Sequence, residues 1–151
     1  MPHVYYFWGF PDEKTMDGIG QLHNKIFANA DEFVKKVPLQ PNVLFVVAVE
    51  DNQVVGYKIG YSLSPDRYYS WYGGVHEAYR GRGIALRLMQ LQHRLVKESG
   101  YETIETKTRN KWREMLILNI KYGFDITETF TDDEGIHRII LEKKLLGQEE
   151  R

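Results

Sequence analysis

Arg80-Gly81-Arg82-Gly83-Ile84-Ala85 is the stretch best suited to chemistry. A strand-like run, Tyr68–Val75, precedes it, and a long amphipathic pattern, Arg82–Ser99, follows it. A glycine-rich turn that opens a helix presents free backbone N–H groups where the helix dipole favours an anion. Gly81 and Gly83 remove side chains that would block that approach. Arg80 and Arg82 add charged donors suited to phosphate oxygens.

Two common phosphate-binding patterns do not fit. A P-loop needs Lys-Ser or Lys-Thr after its last glycine, and neither is present. A dinucleotide fingerprint needs Gly or Ala where Leu86 stands. A third pattern, Arg/Gln-x-x-Gly-x-Gly/Ala, is met by Arg80, Gly83 and Ala85, with Val75 closing the strand before it. In this the chain resembles the GNAT superfamily of acetyl-CoA-dependent N-acetyltransferases. An unrelated nucleotide-binding domain remains the alternative for the loop itself.

The elements that must position this loop are readable along the chain. Val4–Trp8 is rich in aromatic and β-branched residues and predicts a strand. Asp12 caps a predicted helix Glu13–Phe27, whose apolar positions recur at three- and four-residue intervals. A short helix, Asp31–Lys36, stops before Pro38. The continuous apolar run Val43–Glu50 predicts a buried strand. Asp51-Asn52 turns it into Val54–Tyr61, and Tyr68–Val75 completes a meander. Gly73-Gly74 suggests a bulge or a close approach to the backbone. After the long helix, Gly100 is placed as a left-handed C-cap. Thr103–Thr108 alternates as a strand. Asn110–Tyr122 predicts a second helix closed by Gly123. Phe124–Phe130 and Ile136–Leu145 are the last strands.

The order β-α-α-β-β-β-α-β-α-β-β is that of GNAT domains, so the resemblance covers nearly the whole chain. It implies a mixed α/β fold: a mostly antiparallel central sheet flanked by helices, in one domain spanning residues 1–151 with a polar tail at 147–151. It implies that the strand ending at Val75 and the strand Thr103–Thr108 splay apart around a pantetheine arm. Gly73, Gly74 and Val75 would then pair with the pantetheine amides. Arg80, Gly81, Arg82, Gly83, Ile84 and Ala85 would hold the pyrophosphate of acetyl-CoA, and Asn110 and Asn119 would complete the coenzyme site. Many members carry a Tyr, placed to protonate the leaving thiolate, where this chain has Asn119. That departure motivates the rival reading, a non-catalytic CoA or acyl-CoA binding module.

Without that Tyr, the acid would be water or Tyr122, one turn after Asn119. A thiol pKa of about 8.5 makes the thiolate a tolerable leaving group. For the base, Glu50, Glu77, Glu105, His23 and His76 are all open, and Glu77 is preferred because it follows Val75 closely. Tyr61, Tyr69 and Trp71 are candidates for an aromatic wall that would attract an amine acceptor. The acceptor itself, small molecule or peptide, is not indicated.

Composition narrows the field. The chain has 151 residues, no Cys and a formal net charge of −1. One domain with a real core is expected. Disulfides, thiolate metal sites and a catalytic thiol are excluded. The near-zero charge gives no footprint for nucleic acid. No apolar run is long enough to span a membrane and no secretory signal is visible, so the cytoplasm is the default location. The five His show no ligand spacing, so no metal site is expected. Monomer and homodimer both remain open.

Overall fold

The computed structural model describes residues 1–145; the polar tail at 147–151 lies outside them. Among the described residues the strands are β1 (His3–Trp8), β2 (Leu44–Glu50), β3 (Gln53–Ser62), β4 (Arg67–Val75), β5 (Thr103–Thr108), β6 (Asp125–Thr131) and β7 (His137–Lys144). The helices are α1 (Glu13–Phe27), α2 (Ala30–Lys36), α3 (Ile84–Glu98) and α4 (Arg113–Lys121). The strands form one sheet in the order β1-β2-β3-β4-β5-β7-β6. Neighbours are antiparallel except β4 and β5, which run parallel. α3 provides the crossover that a parallel pair requires.

The sheet is covered on both faces, which explains the unbroken apolar run of β2. Leu44, Val46 and Ala48 join Ile84, Leu88 and Val96 of α3 in one core. Phe45 and Val47 join Ile19 and Leu22 of α1 and Phe33 of α2 in the other. Each methylene buried in this way contributes roughly 0.8 kcal/mol.

Local chemistry sets the element ends. The Asp12 carboxylate accepts from the Thr15 N–H and hydroxyl and starts α1. Gly100 and Gly123 adopt φ of +96° and +105° after α3 and α4, as the C-cap reading requires. Two helices begin later than expected. α3 starts at Ile84 because Gly83, at φ +79°, is its N-cap. α4 starts at Arg113 because the Trp112 N–H closes a turn on the Arg109 carbonyl first.

The predicted bulge lies elsewhere in β4. Gly73 and Gly74 stay in register with Lys58 and Tyr57. The extra residue is Trp71, between the pairs Ile59–Tyr72 and Gly60–Ser70. Gly74 serves instead to admit α1, since a β-carbon there would run into the Ile26 Cδ1.

Candidate active site

The bulge and the end of the β4–β5 pairing coincide. The two strands pair only from Arg67–Thr103 to Ser70–Thr106. The last rung is reinforced by the Thr106 hydroxyl, which donates to the Ser70 carbonyl at 2.9 Å. From Trp71 to Val75 the β5-facing edge of β4 has no strand partner. A bulge bends its strand and re-aims the residues beyond it, and here it opens a gap in the middle of a sheet.

Two cavities meet in that gap. One, of about 420 Å³, runs from Gly73, Gly74 and Val75 to Arg80, Gly81, Gly83, Ile84 and Ala85. The other, of about 460 Å³, opens toward the β5–α4 turn and is lined by Tyr69, Trp71, Tyr72, Arg109, Asn119 and Arg138 among others. Ile26, Phe27, Lys58, Gly73, Trp112 and Met115 line both. A larger depression of about 740 Å³ lies between α1 and the β2–β3 turn. Its lining mixes Asp12, Glu13 and Asp17 with Lys14 and Lys25 and does not touch the free edge of β4.

The first cavity suits an anion followed by an amide chain. No side chain caps the N-terminus of α3, so its first-turn N–H groups are left for a ligand. Gly81 and Gly83 adopt φ of +78° and +79°, and apart from its chain neighbours a β-carbon at either would meet nothing within 4 Å among the described residues. The space above the loop is therefore open. The Arg80 Nε–H donates to the Val75 carbonyl at 3.0 Å, which ties the loop to the end of β4. Arg82 lies over the Tyr79 ring at 5.0 Å and is not part of the lining. The free edge of β4 supplies backbone groups that need partners. Together these features fit a pyrophosphate with a pantetheine arm.

Lys58 occupies the junction. Its register partner is Gly73, and a β-carbon there would stand 3.6 Å from the ammonium nitrogen. The residue is 8% exposed. No carboxylate pairs with it among the described residues, and burial alone lowers its pKa to about 8. Sequence reasoning missed this residue. Asn119 lies close by, 3% exposed and lining the second cavity. Its side-chain amide makes no hydrogen bond among the described residues and is not among the fully enclosed polar atoms that lack a partner, so its small exposure is toward the cavity. Asn119→Ala is therefore expected to weaken acetyl-CoA binding about tenfold without lowering the melting temperature of the free protein. Calorimetric titration with a parallel melt checks both, and unchanged affinity would leave the amide a structural part only.

Other residues named from the sequence are placed differently. Tyr69 and Trp71 line the second cavity, and Tyr61 supports them edge-on at 5.3 and 5.1 Å between ring centres. Glu77 is exposed in a short 3-10 turn and lines neither cavity of the gap. Tyr122 lies at the C-cap of α4, also outside both. Asn110 is exposed in the turn before α4 and outside both linings. Glu105 and Glu142 are both committed to Arg67, Glu105 at 2.8 Å. Glu50 pairs with the N-terminal amine at 3.4 Å. His76 caps its own 3-10 turn through the Ala78 N–H. His23 is fully buried, bonded to the Tyr57 hydroxyl and to Asn29, and stacked on Phe33. Burial lowers its pKa, outweighing the Asn29 hydrogen bond, so the ring is neutral and structural.

A splayed parallel pair beside an uncapped helix N-terminus is an architecture for acyl transfer from a phosphorylated carrier. The profile of the family described as Acetyltransferase (GNAT) domain matches residues 41–126. The chain belongs to the GNAT acetyltransferase family. It carries an acetyltransferase domain of the GNAT type. No curated protein matches it. Solved structures share the fold. An aminoglycoside 6'-N-acetyltransferase complexed with coenzyme A is 14% identical, with 97% of this chain and 98% of that one covered and a TM-score of 0.80. The ribosomal-protein-S18-alanine N-acetyltransferase from Escherichia coli is 12% identical, with 95% and 94% covered and a TM-score of 0.78. A GNAT family acetyltransferase from Elizabethkingia anophelis with acetyl-CoA bound is 18% identical, with 95% and 97% covered and a TM-score of 0.72.

Proposed function

We propose that this protein, as a single domain, transfers an acetyl group directly from acetyl-CoA to a primary amine. The observation that carries this reading is the free β4 edge, Trp71–Val75, leading straight to the uncapped N-terminus of α3. When bound, acetyl-CoA supplies the acetyl group as an activated thioester. Each remaining task falls to the chain. The first-turn N–H groups of α3 and the Arg80 guanidinium hold the diphosphate. Backbone groups of Gly73, Gly74 and Val75 hold the pantetheine arm, and an N–H near Gly74 or Val75 polarises the thioester carbonyl. Asn119 offers its amide to the same arm.

Proton traffic needs a donor for the sulfur and a sink for the amine. The position that could have carried a phenol is Asn119, so the sulfur must be served from elsewhere. Lys58 is the buried acid at the junction. Its pKa of about 8 is close to that of a thiol, about 8.5, which suits proton transfer near neutral pH. Among the described residues no carboxylate lines the second cavity and Glu114 lines only the first, so water is the sink for the amine proton. Tyr69 and Trp71 form the wall for the acceptor.

Asn119 also favours a second reading, a module that binds CoA or acyl-CoA without chemistry. Two measurements separate the readings from each other and from a different nucleotide site. A melt with acetyl-CoA at 100 times its Kd should gain about 2.7 kcal/mol, roughly 5–10 °C for a domain of this size. ATP and NAD should give no shift. Release of free thiol with an amine present would then exclude the binding-only reading. A shift with ATP or NAD and none with millimolar acetyl-CoA would overturn the proposal.

A further inference from the structure

The second cavity has one sign of charge. Lys58, Lys107, Arg109, Lys111 and Arg138 line it, and among the described residues no Asp or Glu does. Two of these cations are held in place. Asp132 accepts from the Ile136 and Glu134 N–H groups and from the Arg138 Nε–H at 2.9 Å, which fixes Arg138 at the cavity rim. The terminal nitrogens of Arg138 are left without partners among the described residues. Lys111 lies 5.0 Å from the centre of the Trp112 ring. Arg109 is half-buried and forms no ion pair among the described residues. The buried Asn119 amide, also without a partner, faces the same space.

A polycationic acceptor entering this space would meet a lining whose charged groups are all cationic among the described residues. An amine that also bears an anion would not. Resting on the acetyl-transfer reading above, we propose that the acceptor is a small primary amine carrying a carboxylate or phosphate, with its amine against the Tyr69–Trp71 wall and its anion on Arg109, Lys111 and Arg138. The aromatic wall and the cationic rim then divide the recognition. The wall takes the reacting nitrogen, and the rim sets its distance from the junction. Bidentate guanidinium contacts suit either oxyanion. A buried positive charge at Lys58 also disfavours the ammonium form of the incoming amine, which helps it lose its proton.

Matched pairs of acceptors test this in a thiol-release assay. Phosphoethanolamine is compared with ethanolamine, an α-amino acid with its amide, and spermidine serves as the polycation. In at least one pair, kcat/KM for the anionic member should exceed that for its neutral counterpart by about tenfold or more, and spermidine should fall below both. The pair that responds distinguishes phosphate from carboxylate. Arg109→Gln should erode the preference at least threefold through KM, leaving the acetyl-CoA melting shift as it was. Equal or better turnover of the neutral members or of spermidine would overturn the proposal. So would a preference untouched by both Arg109→Gln and Arg138→Gln. If no amine is turned over, melts of the CoA-saturated protein decide. A further shift with an anionic amine and none with its neutral partner upholds the proposal, and no shift with any anionic amine sinks it. If acetyl-CoA itself gives no shift, the acetyl-transfer reading fails first and this proposal falls with it.

Discussion

Lys58→Met should melt higher than the parent protein at pH 7 and lose acetyl transfer. The parent keeps an ammonium at 8% exposure with no counter-charge among the described residues. Burial lowers its pKa from 10.5 to about 8. At neutral pH the group is charged in both the folded and the unfolded chain, and the folded form carries the desolvation cost, about 3 kcal/mol at most. Methionine has a similar reach without the charge and suits an irregular space. The pH dependence fixes the sign. Below pH 8 the penalty is complete. Between about pH 8 and the unfolded value of 10.5, the folded chain has released a proton that the unfolded chain still holds, so the parent gains stability. The advantage of the variant should therefore be largest below pH 8 and shrink by about pH 10.5. Urea titrations at pH 6, 7, 9 and 10.5 measure this. A variant less stable than the parent, or a difference that ignores pH, would refute the account. Turnover should fall by about 100-fold or more, the scale of a lost general acid. Retained turnover would remove Lys58 from the reaction.

Gly83→Val should abolish useful acetyl-CoA binding at a modest cost in stability. Gly83 sits at φ +79°, where a β-branched residue is strained by about 1–3 kcal/mol. Apart from its chain neighbours, a β-carbon there meets nothing within 4 Å among the described residues, so the folding cost is mainly in the backbone. That open space is where the diphosphate must approach α3. Affinity is expected to fall by about 100-fold or more, the equivalent of two or more charge-assisted hydrogen bonds. Gly83→Ala is the control, with less backbone strain and a smaller obstruction. If binding loss merely tracks stability loss across the two variants, the loop does not cradle phosphate.

Much of this architecture was legible in the sequence because its elements are locally consistent. The α1 cap, the β2–β3 hairpin and the glycines after α3 and α4 each carry their own signal. Helix starts were less legible, because Arg82 and Asn110 suit a first turn and only the backbone at Gly83 and at Trp112 shows where the helices begin. The bulge at Trp71 left no mark, since the neighbouring Gly73-Gly74 looked the better place for one. Lys58 was hidden by alternation. In Tyr57-Lys58-Ile59-Gly60 it falls on the polar phase of a hairpin strand, which usually faces water. β3 is an interior strand with helices over both faces, so that phase lies beneath α3. A lysine between Gly56 and Gly60 in an interior strand is the clue that could have found it. The Tyr122 and Glu77 candidates rested on distance along the chain. Tyr122 at the end of α4 and Glu77 in the 3-10 turn line neither cavity of the gap.

The short β4–β5 pairing also sets an order of assembly. β2 with β3, and β6 with β7, close over turns of a few residues, and each is a local event. The parallel rungs from Arg67–Thr103 to Ser70–Thr106 must instead wait until α3 has formed and folded back, because closing the long intervening loop costs entropy before any contact repays it. Those few rungs are all that unite the two ends of the sheet. The place where catalysis needs an opening is thus also a seam that no local event can sew, as is the β1–β2 edge, whose Trp8–Leu44 rung closes a loop of the same length.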